Sequence, residues 1–158
     1  MPIFGKKATP VETATAPVPS RMLSREQVRN ALDYEIARSL RYQRPLSVLR
    51  IAPQALPSES LKPAEIQRVS EVAAALLRDV DHFGPFDEYS MLAVLPETDK
   101  GASRIVAGRL ASELTMRSGA FIQRNWLVGS ASLMDDAETA DGLLVAALTN
   151  ALGRGGGG

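Results

Sequence analysis

Residues 78–96 read RDVDHFGPFDEYSMLAVLP. Gly84 and Pro85 break any helical pattern, so His82–Phe86 reads as a short extended stretch. Asp87-Glu88 follows as a polar turn, and Met91–Leu95 is an unbroken apolar run of strand length. Two short extended pieces around an acidic turn predict a hairpin, and the second piece predicts a strand buried on both faces.

Helices and strands alternate on either side of this hairpin. Upstream, Ser24 and Gln27 form a capping-box pair at the start of a helix. Val28, Leu32, Ile36 and Leu40 recur at i+4 and predict one apolar stripe. Pro45 is expected to end that helix, and Leu46–Ile51 (LSVLRI) reads as a buried strand. Pro53, Pro57 and Ser58 mark a loop. Pro63 suits the first position of a second helix, whose apolar face is Ile66, Val69, Ala73, Leu76, Leu77 and Val80. Downstream, Thr98 is expected to cap a third helix reaching about Met116, whose apolar face is Ala102, Ile105, Val106, Leu110 and Leu114. Strand material follows around WLVGSASL (126–133), with Trp126 and Phe121 packing on the sheet. A fourth helix is expected from about Thr139 to Leu152. The order α-β-α-β-β-α-β-α predicts one layered α/β sandwich. Residues 1–20 are rich in Pro, Ala, Thr and Val without a period and predict a disordered arm. In that arm, Ile3, Phe4, Lys6 and Lys7 offer a short docking motif. The domain is expected over 21–153, with 154–158 a flexible Gly-rich tail.

Composition narrows the function. The chain has 158 residues, enough for one domain. Eighteen basic residues balance eighteen acidic ones, which lowers the expectation of nucleic-acid binding. No cysteine is present, so thiolate catalysis and cysteine metal sites are excluded. The single histidine, His82, excludes any site needing two; it reads as a hydrogen-bonded hairpin residue. No apolar run reaches the roughly 18 residues of a membrane span, and a cytoplasmic location is expected. Charge is uneven along the chain. Residues 21–50 carry a net +4 and residues 51–158 a net −5. The split permits steering of an acidic partner, or a homodimer.

Three segments in order resemble the GGDEF domain of diguanylate cyclases over about residues 23–154. They are LSREQVRNALDYEIARSLRYQRPLSVLRI, LLRDVDHFGPFDEYSMLAVLPETDKGASRIVAGRLASEL and WLVGSASLMDDAETADGLLVAALTNALGRG. The resemblance implies a central, mainly antiparallel sheet flanked by helices, as in nucleotide cyclases. It also implies the chemistry of active members, which join two GTP molecules into cyclic di-GMP. That reaction needs divalent metal, held there by an Asp of the first strand and an acidic hairpin residue.

Those positions differ here. Arg50-Ile51-Ala52 stands where the first strand should end in an Asp-Ile-Asp-like pattern, and a cation there opposes metal binding. In the gapless register the signature falls on Asp87-Glu88-Tyr89-Ser90-Met91, so both glycines become acidic and both carboxylates are replaced. A gapped pairing of FDEY (86–89) instead puts Pro85 and Phe86 at the glycines. Both readings predict no catalytic residues, no metal and no cofactor.

One family motif stands intact. Arg78-x-x-Asp81 lies five residues before the signature position, where the resemblance implies a site for cyclic di-GMP. A guanidinium can bond guanine O6 and N7 or a phosphate, and a carboxylate can accept from guanine N1 and N2. The same pair also reads as a structural contact at a helix end. The expectation is an inactive GGDEF-like regulatory domain of a bacterial signalling system, acting through a protein partner. The alternative is a cyclic di-GMP receptor using Arg78 and Asp81.

Overall fold

The computed structural model describes residues 21–54, 60–117 and 125–157. The N-terminal arm, Phe121 and Pro57-Ser58 lie outside these. Four helices and four strands follow in the expected order. They are α1 (Arg25–Tyr42), β1 (Leu46–Pro53), α2 (Pro63–Leu76), β2 (His82–Pro85), β3 (Met91–Pro96), α3 (Lys100–Arg117), β4 (Trp126–Ser132) and α4 (Ala140–Gly157). The strands form one sheet in the order β2-β3-β1-β4, antiparallel at every pairing. The result is a single α+β domain.

Both faces of the sheet are covered, which explains the continuous apolar runs. Leu49, Ile51, Met91, Ala93 and Leu95 face α2 and α3, joined by Phe83, Trp126 and Val128. Leu46, Val48, Leu92 and Val94 face α1 and α4, with Val28, Leu32, Leu143 and Ala147. Side chains alternate across a strand, so a strand sandwiched between two helical layers is apolar at every position. Each fully buried leucine contributes about 2 kcal/mol through the surface it removes from water.

Helix ends follow local chemistry. Ser24 Oγ accepts from the Gln27 amide and Gln27 returns a bond to the Ser24 amide, the reciprocal cap read from the sequence. The helix stops before Pro45, at Gln43, which takes a left-handed conformation with φ 55°. Asp99, rather than Thr98, caps α3, its carboxylate accepting from the Ala102 amide. Thr139 caps α4 through the Gly142 amide. That last helix runs to Gly157, past the expected end at Leu152.

Apolar positions on three helices depart from expectation: on α3, Ala102 and Ile105 are exposed and the buried face is Ser103, Ala107, Leu110 and Leu114, and the first two helices each give one more. Leu40 is 50% exposed. Each i+4 step overshoots a helical turn by about 40°, so three steps carry Leu40 some 120° away from Val28. The buried ridge is instead Val28, Leu32, Glu35 and Ser39. Val80 is also exposed, because α2 ends at Leu76 and the chain turns before reaching it.

Candidate functional site

The hairpin loop Phe86–Ser90 joins β2 to β3 and lies against Arg50 of β1. Phe86 and Asp87 both donate backbone bonds to the Ser90 carbonyl, closing the loop. Asp87 Oδ1 accepts from the Tyr89 amide at 2.8 Å and from Ser90 Oγ at 2.9 Å, a local turn that holds the carboxylate over its own loop.

Arg50 faces the α1/α4 layer and is only 5% exposed. Its Nη2 donates to Ser90 Oγ at 2.7 Å and its Nη1 to the Leu144 carbonyl of α4 at 3.1 Å. The guanidinium lies 4.6 Å from the centre of the Phe86 ring. Asp87 Oδ2 stands 3.6 Å from Nη2. Burial pushes the Arg50 pKa down, and the nearby Asp87 charge only partly offsets this. Its Nε is buried with no hydrogen-bond partner among the described residues.

Gly129 makes this placement possible. It pairs with Arg50 across β1 and β4. A Cβ there would lie 2.1 Å from the Ala147 carbonyl oxygen and 2.3 Å from the Ala151 nitrogen. Only glycine lets the α4 backbone rest on the sheet so closely, which brings the Leu144 carbonyl within reach of Arg50.

The residues at this end of the sheet do not fit a divalent metal. A buried, fixed guanidinium occupies β1 here, and the Asp87 carboxylate already serves its own turn and Arg50. Among the described residues no group of three or more His, Asp or Glu side chains is placed to hold a metal ion.

Arg78 and Asp81 form the second candidate, between α2 and β2. Asp81 Oδ2 accepts from the Arg78 amide at 2.8 Å and from its Nε at 3.3 Å, while Oδ1 accepts from Nη2 at 2.8 Å. Arg78 Nη2 also donates to the Pro96 carbonyl and to Thr98 Oγ1. The Asp81 side chain is 3% exposed and that of Arg78 51%. The bond to Asp81 holds the Arg78 pKa above its ordinary value, against a smaller opposing effect of burial. The motif therefore folds back on itself. The carboxylate is enclosed, and the cation lies across it with one edge open to water.

His82 sits in β2 opposite Val94, its Nε2 3.8 Å from Glu35 Oε2. Trp126 is buried in the α2/α3 core, as expected. The sequence singles out Arg50 and places Ser90 and Phe86 at signature positions without linking them to it, and it misses Leu144, because a backbone carbonyl on a distant helix leaves no residue-type signal. Arg21 is the other omission. It counts only toward the basic surplus of residues 21–50, yet its guanidinium lies at the end of α2.

Neither a scan of protein-family models nor a search of curated proteins returns a match. Solved structures do match. The GGDEF domain of FimX from Pseudomonas aeruginosa aligns with a TM-score of 0.72 at 14% identity, over 91% of this chain and 94% of that one. The GGDEF domain of DgcB from Caulobacter crescentus, solved with c-di-GMP, aligns at 0.68 and 10% identity, over 99% and 93%. The diguanylate cyclase SiaD from Pseudomonas aeruginosa, solved with its activator SiaC, aligns at 0.70 and 17% identity, over 96% and 61%. The chain thus has the fold of these GGDEF domains, the cyclase-like α+β fold that the sequence resemblance implies. At these identities the likeness is one of fold.

Proposed function

We propose that this chain is a catalytically inactive GGDEF-like domain that works as a regulatory adaptor through a protein partner. Arg50 carries the reading. Phosphoryl transfer between nucleotides needs metal ions at carboxylates to neutralise and align the phosphates. A cation locked to Ser90, Phe86 and Leu144 stands in that place and repels a second cation. The hairpin residues Asp87 and Ser90 are committed to holding it. Fold alone does not assign a role, so the adaptor reading rests on this site and on the surface. Tyr34, Leu40 and Tyr42 on α1 and Val145 and Leu152 on α4 are exposed on helices that share one face of the sheet. A neighbour of this fold, SiaD, is solved with a protein activator.

A receptor for cyclic di-GMP at Arg78 and Asp81 is the second reading. It is favoured by the half-open guanidinium and by the DgcB domain solved with that dinucleotide. The enclosed Asp81 weighs against it, since both of its oxygens already accept from Arg78.

One experiment separates these. The full chain is incubated with GTP and magnesium and assayed for cyclic di-GMP, then titrated calorimetrically with cyclic di-GMP beside Arg78→Ala. The expected result is no product and no heat of binding. Product above the blank overturns the inactive reading. Binding that vanishes in Arg78→Ala establishes the receptor instead.

A further inference from the structure

Residues 21–23 precede α1 and are built into the domain from both sides. Arg21 donates from Nη1 to the carbonyls of Ala74 at 3.1 Å and Leu77 at 3.4 Å, and from Nη2 to those of Arg78 and of Asp81, the last at 3.3 Å. Its guanidinium also lies 5.4 Å from the Phe83 ring centre. The last carbonyls of a helix have no partner within it, and they form the negative end of its dipole. Arg21 answers both for α2. Met22 makes a parallel bridge to Phe83 and accepts at its sulfur from Ser70 Oγ. The Leu23 amide donates to the Phe83 carbonyl at 2.9 Å. Gly84 leaves room for this contact, since a Cβ there would lie 2.3 Å from the Leu23 carbonyl oxygen.

The turn from Arg78 to Asp81 is thus held twice. Asp81 ties its amide side, through the Arg78 N–H. Arg21 ties its carbonyl side, through the carbonyls of both end residues. The second tie belongs to a strap, residues 21–23, that meets β2 at Phe83.

We propose that residues 21–23 are a conformational strap whose seating on β2 is coupled to the order of the Arg78–Asp81 turn. Lifting the strap withdraws the donor shared by four carbonyls and loosens the turn; fixing the turn holds the strap on the sheet. The coupling is reciprocal, as any linkage between two sites must be. It stands whether or not the chain is an enzyme.

Amide hydrogen exchange on the full chain tests this, with the amides of Arg78 and Asp81 as reporters. Arg21→Ala is expected to speed both by about tenfold while β1 amides change by less than about twofold. Gly84→Ala is the decisive variant. It pushes on Leu23 and leaves Arg21 itself intact, and the strap model expects the same acceleration at 78 and 81. Should that variant not fold, Leu23→Pro replaces it, removing the amide bonded to Phe83. Unchanged exchange at Arg78 and Asp81 in the variant that folds overturns the coupling and leaves Arg21 a local helix cap.

Discussion

Arg50 and Arg78 each stand beside an aspartate, and their surroundings are opposite. At Arg50 the cation is buried and Asp87 is the exposed partner. At Arg78 the carboxylate is buried and the cation half open. Desolvation dominates the first and lowers the arginine's pKa; a direct hydrogen bond dominates the second and raises it. The pair at Arg50 is therefore a filled interior site, where a new charge is costly. The pair at Arg78 is a closed turn with a solvated lid, where chemistry from outside can still reach the cation.

The largest effect that sharpens this contrast is a charge reversal at the interior site. Arg50→Asp places an unpaired carboxylate beside Asp87 in a dry pocket and is expected to cost about 4 kcal/mol. Arg50→Met keeps much of the volume without a charge and is expected to cost about 1 kcal/mol. Urea midpoints measure both. Equal losses would mean that the site is not dry, and the contrast with Arg78 would collapse.

A smaller effect belongs to the turn. Asp81→Asn keeps the shape but turns one oxygen into a donor facing the Arg78 guanidinium and amide. The expected cost is about 2 kcal/mol, read as a lower thermal midpoint. A neutral outcome would show that the backbone alone closes the turn.

The smallest effect concerns a third, partly exposed arrangement. Glu97 accepts from Arg44 and Arg38, and the Arg44 bond foremost holds its pKa below the ordinary glutamate range. A lowered carboxylate pKa contributes stability above the unfolded-state value and loses it as pH falls through the folded one. The gap in thermal midpoint between wild type and Glu97→Gln should therefore shrink on acidification. A gap that stays constant with pH would assign no ionic role to this network.

Much of the fold is legible in the sequence because period and punctuation agree. The apolar run Met91–Leu95, the Gly84-Pro85 break and the Ser24/Gln27 box each act within a few residues, and each appears where expected. Leu40 is misread because an i+4 pattern looks helical long after it has drifted off the buried face. The candidate site is half legible. Arg50 stands out as a cation in an apolar strand, whereas its burial depends on Gly129 and Leu144, some eighty and ninety residues away. Arg78 and Asp81 are legible as a motif. That Asp81 is enclosed follows from Arg21, Pro96 and Thr98 converging on one turn, which no local pattern encodes.

The outer strand of the sheet carries one more consequence. On β4, the Asn150 side-chain amide donates to the Ser130 carbonyl, and Asp136 accepts from the Ser132 amide. These two side chains engage two of the main-chain groups that a neighbouring molecule's strand would otherwise pair with. Growth of a fibre from this edge must first break both bonds.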